Sequence, residues 1–140
     1  MNKKIKVLIV EDDRSLLDLY DIAIPEKIFE KRLANNGSSA LDIYREWQPH
    51  MIVLDIMLPD RSGFTILEEI RLKLDDKSTA IVMSTSLDRK SDIEKCREMD
   101  IQGYIVKPFD HKTIAGELIE FFSASNPQLA EKARIMLKTK

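Results

Sequence analysis

Short apolar runs alternate with longer helix-like segments along this chain, and this alternation constrains the fold more than any other feature. Four runs rich in β-branched residues lie at 5–10, 51–54, 80–83 and 104–106. None alternates cleanly with polar residues. Continuous apolar runs of this length are typical of strands that are buried on both faces, as in a parallel sheet covered by helices, although a lone run could equally be buried helix.

Segments of ten or so residues with a helical pattern separate these runs, at 15–24, 38–47, 64–74, 91–99 and 112–122. In the second segment, for example, Ala40, Leu41, Tyr44 and Trp47 recur at helical spacing. Regular alternation of strands and helices along the chain indicates right-handed βαβ units. The sequence therefore predicts an α/β fold with a doubly wound parallel sheet.

The second strand and the carboxyl-terminal segment are predicted from weaker patterns. Residues 29–34 must supply a strand although three of them are charged, which is tolerable at the edge of a sheet. Pro25 should end or kink the helix before it. After Asn126-Pro127, apolar residues at helical spacing predict a short extra helix over 128–138. We expect a main domain at 1–124 and a tail at 125–140, either docked on the domain or a linker stub, in preference to a dedicated partner-binding helix.

Composition narrows the environment and the partners. With 22 basic and 24 acidic residues the net charge is -2, so no overall field favours nucleic acid or an anionic membrane. We expect no direct nucleic acid binding and no membrane association. The single cysteine, Cys96, excludes an internal disulfide and should be a buried apolar residue. The first apolar run is too short for a signal sequence or a membrane span, which predicts a cytoplasmic protein.

Polar residues stand directly after each of the four apolar runs. The first run is followed by Glu11, Asp12 and Asp13, the second by Asp55, the third by Ser84, Thr85 and Ser86, and the fourth by Lys107. The carboxyl ends of parallel strands lie along one edge of the sheet, where open α/β folds bind ligands. Each residue alone has a structural explanation, such as a helix cap, a turn or a solvated charge. Together they predict a shared site.

Three crowded carboxylates repel one another and imply a neutralising cation. Ligands made only of oxygen favour a hard ion. The small number of protein ligands suits Mg²⁺, whereas the sequence has no loop of the kind that Ca²⁺ usually requires. The cation and Lys107 would neutralise a phosphoryl group, while Thr85 would donate a hydrogen bond to it. Asp55 could then act as the nucleophile and form an aspartyl phosphate.

The motifs that carry these residues resemble the receiver domains of two-component response regulators. They are Val-Glu-Asp-Asp at 10–13, Leu-Asp-Ile-Met-Leu-Pro-Asp at 54–60, Ser-Thr-Ser at 84–86 and Tyr-Ile-Val-Lys-Pro-Phe at 104–109. The resemblance extends over nearly all of residues 3–124. It implies five parallel strands in the order 2-1-3-4-5 with five flanking helices. It also implies a sensor histidine kinase or phosphotransfer protein as the phosphoryl donor.

Carried over by position, the family pattern gives each residue of the site a role. Asp55 resembles the phosphoacceptor. Asp12 and Asp55 would bind Mg²⁺ directly, Glu11 would bind it through water, and Met57 would bind it through its backbone carbonyl. Lys107 would contact the phosphoryl group. The domain would not be an ordinary enzyme, although it would assist its own phosphorylation and dephosphorylation.

The resemblance also implies a switch between two states. Thr85 would move toward the phosphoryl group, and the ring of Tyr104 would turn inward behind it. The change would be read by a downstream protein at the fourth helix, fifth strand and fifth helix. The peptide bond between Lys107 and Pro108 resembles the family's cis peptide.

Other functions fit the sequence less well. Phosphatases that form an aspartyl phosphate resemble Asp-x-Asp, but residue 57 is Met. A nucleotide-binding protein would need a glycine-rich loop after the first strand, where acids stand instead. The alternative that stays open is a receiver-like binding module that works without phosphorylation. The residues after Ala124 are too few for a DNA-binding module.

Overall fold

The computed structural model describes residues 3–86 and 91–139. Its strands are β1 Ile5–Val10, β2 Phe29–Ala34, β3 Met51–Asp55, β4 Ala80–Ser86 and β5 Gly103–Lys107. Its helices are α1 Arg14–Ala23, α2 Gly37–Trp47, α3 Gly63–Glu68, α4 Ser91–Arg97, α5 Ile114–Ser123 and α6 Pro127–Lys138. A π-helical segment, Glu69–Lys73, continues α3. The remaining residues of the predicted domain and tail, at 1–2, 87–90 and 140, lie outside this description.

The five strands form one parallel sheet in the order β2-β1-β3-β4-β5, which confirms the predicted fold class. The charged strand β2 is at an edge, as expected. The pairing places Val10 beside Leu54, and it pairs Asp55 with Ser84 and Ser86 with Lys107. The polar ends of β1, β3, β4 and β5 therefore meet along one edge.

Two apolar cores cover the two faces of the sheet. Alternate residues of β1 divide between them, since Val7 and Ile9 belong to one core and Leu8 and Val10 belong to the other. The first core includes residues of α1, α5 and α6, and the second includes residues of α2, α3 and α4. This arrangement explains why the strands read as continuous apolar runs. Cys96 is fully buried in the second core, as predicted.

The ends of α1 follow from local chemistry. The Asp13 carboxylate accepts a hydrogen bond from the Leu16 N–H and caps the first turn. The helix stops at Ala23, two residues before Pro25. The cap therefore places the start of α1 directly after the Glu11–Asp13 segment. Among the described residues, no helix is long and apolar enough to cross a membrane.

The tail helix α6 packs against the domain. Leu129, Ala130 and Ala133 are buried in the same core as α1 and α5. Arg134 donates to the Glu120 carboxylate of α5 at 2.6 Å, and Lys27 Nζ donates to the Thr139 carbonyl at 2.5 Å. The extra helix predicted from the sequence is therefore present and begins one residue earlier than expected.

The third helix differs from the single α-helix predicted over 64–74. Its last turn is π-helical, with the Leu74 N–H bonded to the Glu69 carbonyl at 2.9 Å. This turn carries Arg71, which is 2% exposed although it is charged. The guanidinium donates to the carbonyls of Asp76, Met99 and Asp100 at 2.8–3.1 Å. One buried side chain thus ties the end of this helix to the segment before β5.

We expect Arg71→Met to lower the free energy of unfolding by about 2 kcal/mol, because buried carbonyls lose their charged donor. Lys73→Met is the matched control in the same segment. Lys73 is exposed and pairs with Glu69 at 3.6 Å, so its loss should cost about 0.5 kcal/mol or less. Urea unfolding of both variants measures the difference, and equal costs would contradict a clamping role for Arg71.

Candidate functional site

A cleft of about 360 Å³ opens at the carboxyl edge of the sheet. It is lined by Glu11, Asp12, Asp13, Leu16, Asp55, Met57, Leu58, Pro59 and Lys107. These residues come from the ends of β1, β3 and β5 and from the loops that follow them. Five of the seven predicted site residues therefore share one cleft.

Three acids lie at the centre of this cleft. Glu11, Asp12 and Asp55 each offer a carboxylate oxygen, and these oxygens lie within 4.8 Å of one another. The strands β1 and β3 are neighbours in register, so Glu11 and Asp55 emerge side by side. Glu11 is 1% exposed and Asp55 is 3% exposed, whereas Asp12 faces solvent. Two negative charges are thus brought together largely out of water.

Lys107 reaches this pair from β5. Its Nζ lies 3.2 Å from Glu11 Oε1 and 3.2 Å from Asp55 Oδ2. Burial opposes the charged ammonium, but the carboxylates of Asp55 and Glu11 outweigh it and raise the pKa of Lys107. The peptide bond from Lys107 to Pro108 is cis, as the family resemblance implied.

One ammonium does not neutralise the two buried acids. Burial and the neighbouring Asp55 carboxylate raise the pKa of Glu11 to about 7, despite the opposing effects of Lys107 and of the Asp13 N–H. A further positive charge would hold both carboxylates ionised. Glu11, Asp12 and Asp55 could hold a metal ion, and their donors are all oxygen, which suits a hard cation.

The loop after β3 orients the Asp55 side chain. The Met57 N–H donates to Asp55 Oδ1 at 3.1 Å, so the two carboxylate oxygens have different partners. The Ile56 N–H donates to the Ser84 carbonyl at 3.1 Å, and the Gly63 N–H donates to the Ile56 carbonyl at 2.7 Å. The backbone next to Asp55 is therefore held from both β4 and the start of α3.

Thr85 and Tyr104 do not line the cleft. Thr85 is 1% exposed, and its hydroxyl donates to the carbonyl of Ser86 at 3.3 Å. Tyr104 is half-buried and packs against the second core, with the Arg97 guanidinium 5.9 Å from its ring centroid. Thr85 directly follows Ser84, the strand partner of Asp55, whereas Tyr104 lies on β5 three residues before Lys107.

Tyr20 of α1 lies close to the site, although no sequence motif identified it as a candidate site residue. The side chain is fully buried, and its ring stacks on that of Phe109 with centroids 4.3 Å apart. Burial first, and then the charges of Glu11 and Asp55, raise the pKa of its hydroxyl. One signal in the sequence could have identified Tyr20. It occupies an apolar position of the helical pattern formed with Leu17 and Ile24, yet its side chain ends in a polar hydroxyl.

Known proteins with similar sequences support the family resemblance. The family model described as "Response regulator receiver domain" matches residues 7–119. The "Probable transcriptional regulator ycf27" of Porphyra purpurea is 32% identical over 117 residues, and that of Pyropia yezoensis is 31% identical. Each alignment covers 84% of this chain and 47% of the relative. The chain thus spans about half the length of the curated relatives it matches.

Solved structures show the same fold. A CheY-like response regulator receiver domain protein from Methanospirillum hungatei JF-1 is 21% identical with a TM-score of 0.81, covering 90% of this chain and 99% of that one. The chemotaxis response regulator CheY4 of Vibrio cholerae is 24% identical with a TM-score of 0.77, covering 85% and 99%. Together with the match over residues 7–119, these findings show that the chain belongs to the response regulator receiver domains of two-component systems.

Proposed function

We propose that this domain is a signalling switch that accepts a phosphoryl group on Asp55 from a histidine kinase or phosphotransfer protein. One observation supports this most strongly: the Asp55 carboxylate lies in an open cleft between two other acids and the Lys107 ammonium. An oxygen of Asp55 would attack phosphorus while the bond from phosphorus to the donor imidazole nitrogen breaks. We place this exchange in the cytoplasm.

The reaction is proposed to depend on Mg²⁺. Glu11, Asp12 and Asp55 would hold the ion together with the Met57 backbone carbonyl, and the bound ion would neutralise charge on the phosphoryl oxygens. Lys107 would add a second positive charge beside Asp55. The raised pKa of Glu11 supports this proposal, because a bound cation would offset the burial of the Glu11 carboxylate and its repulsion by Asp55.

Signalling would then follow from a shift between two conformations. Thr85 would exchange its present hydrogen bond to the Ser86 carbonyl for one to the phosphoryl group. Tyr104 would give up its contact with Arg97 as its ring turns inward. A downstream protein would read the change at α4, β5 and α5. The phosphoryl group shifts this equilibrium only by the difference in its interaction with the two states.

We also propose that residues 1–124 form the receiver domain and that 125–140 form a docked tail. The burial of Leu129, Ala130 and Ala133 supports docking over a free linker. This chain would not contact nucleic acid itself. The relatives named transcriptional regulators are about twice as long as the matched region, so DNA binding would belong to other parts of such proteins.

The experiment is to incubate the native protein with acetyl phosphate and to record its intact mass, once with Mg²⁺ and once with excess EDTA. We expect one phosphoryl group per chain with Mg²⁺ and essentially none with EDTA, because the repelling acids then lack their counterion. An unmodified protein under both conditions would favour the alternative, a binding module that works without phosphorylation. Equal modification under both conditions would contradict the metal dependence.

A further inference from the structure

Tyr20 touches two segments that carry residues of the proposed phosphorylation site. Its hydroxyl lies 3.4 Å from Ser84 Oγ, and either group can donate. Its ring stacks on Phe109 at an interplanar angle of 21°. Tyr20 belongs to α1, Ser84 to β4, and Phe109 to the loop after β5. A single buried side chain therefore joins three separate elements beneath the cleft.

The contact with Ser84 leads to Asp55. Ser84 is paired with Asp55 across the β3–β4 ladder, and its carbonyl accepts the Ile56 N–H at 3.1 Å. Ser84 also directly precedes Thr85, the proposed switch residue. Movement of Ser84 would therefore displace the backbone at Ile56, next to Asp55, and at Thr85.

The contact with Phe109 leads to Lys107. Phe109 is 9% exposed and follows Lys107 by two residues, on the far side of the cis peptide bond. The two stacked rings lie in the same apolar core. Lys107 has 18% of its side chain exposed, and its ion pairs with Glu11 and Asp55 and the course of its backbone hold it in the cleft. Fixing Phe109 therefore limits where the ammonium can lie.

A hydroxyl at position 20 is needed only if its contact with Ser84 has a role. Phenylalanine would fill the same apolar space without burying a polar group, which costs free energy unless it is hydrogen-bonded. The Tyr20 hydroxyl and Ser84 Oγ are both buried, and the two groups are hydrogen-bond partners of each other. The pair is therefore a specific connection between α1 and the end of β4.

We propose that Tyr20 is a positioning residue for phosphoryl transfer, which holds the end of β4 through its hydroxyl and the Lys107 loop through its ring. This inference rests on the proposed phosphorylation of Asp55. Among the described residues, the Tyr20 hydroxyl bonds to Ser84 and not to the acids that would hold the metal. Its loss should therefore slow phosphorylation without weakening Mg²⁺ binding, a separation that a general loss of structure would not produce.

The test compares initial phosphorylation rates by acetyl phosphate at saturating Mg²⁺. We expect Tyr20→Phe to be about 3-fold slower and Tyr20→Leu, which also loses the ring stack, about 10-fold slower or more, since small misplacements of reacting groups are costly. Tyr20→Phe combined with Ser84→Ala should be no slower than either single variant, because both remove the same contact. The Mg²⁺ dissociation constant, from amide shifts of Asp13 and Met57 in NMR titrations, should stay within about 2-fold of the native value.

Tyr44→Phe is the matched control, because it removes another tyrosine hydroxyl, the one that donates to Asp76 at 2.5 Å outside the cleft. It should leave the phosphorylation rate unchanged. Native rates in both Tyr20 variants would overturn the proposal, as would a rate loss matched by weaker Mg²⁺ binding or shared by Tyr44→Phe. If the native protein takes up no phosphoryl group, the proposed function fails instead, so the two failures are distinguishable.

Discussion

Asp55→Asn should abolish the phosphoryl adduct that acetyl phosphate and Mg²⁺ form on the native protein. The amide is a poor nucleophile, and the substitution would also remove one of the three negative charges of the acid cluster. The fold should survive, because the amide is close in size and its oxygen can still accept the Met57 N–H. Intact mass spectrometry measures the loss directly.

Asp42→Asn is the matched control for this variant. Asp42 is an exposed acid on α2 and does not line the cleft, so its replacement should leave the adduct at the native level. The Asp55→Asn substitution would also change the charge balance of the cleft, because the Lys107 ammonium would then pair with the Glu11 carboxylate alone, at 3.2 Å. An adduct that persists in Asp55→Asn would mean that another side chain is the acceptor.

Gly63→Ala should lower the free energy of unfolding by about 3 kcal/mol or more, because the new methyl group would meet backbone atoms that cannot turn away. A Cβ at this position would overlap the carbonyl oxygen of Asp55 and lie 2.9 Å from Ile56 Cα. Relief would require the start of α3 to move away from β3. That movement would break the hydrogen bond from the Gly63 N–H to the Ile56 carbonyl.

The matched substitution is Gly116→Ala in α5. There a Cβ would meet Leu137 at 3.8 Å, which is an ordinary contact, and alanine is favoured over glycine inside a helix by about 0.5–1 kcal/mol. Urea unfolding should therefore show a large loss for one variant and a small gain for the other. Similar stabilities for the two variants would contradict the close approach of α3 to the Asp55 segment.

The alternation of apolar runs and helical segments was sufficient to predict the sheet, because burial on both faces dictates the residue types of a parallel strand. The lengths of the strands were harder to predict. The run at 80–83 ends at Met83, but β4 continues to Ser86 because backbone pairing with β5 does not depend on polarity. The residues that form the end of this strand are those closest to the site.

Features that depend on one long-range contact could not be read from local patterns. The π-helical turn coincides with Arg71, whose acceptors lie 5 to 31 residues away in sequence. The common position of Glu11, Asp12, Asp55 and Lys107 was predicted, because it follows from strand order alone. The direction of the Thr85 hydroxyl and the contacts of Tyr20 were not, since they depend on how side chains pack beneath the cleft.

The most direct measurement is to locate the modified residue in the native protein. After treatment with acetyl phosphate and Mg²⁺, borohydride reduces an acyl phosphate to an alcohol, which leaves homoserine in place of the aspartate that carried it. Peptide mass spectrometry should find this change at position 55 and at no other acid. A reduced residue at Asp12 or Glu11, or none in the whole chain, would contradict the assignment of Asp55 as the phosphoacceptor.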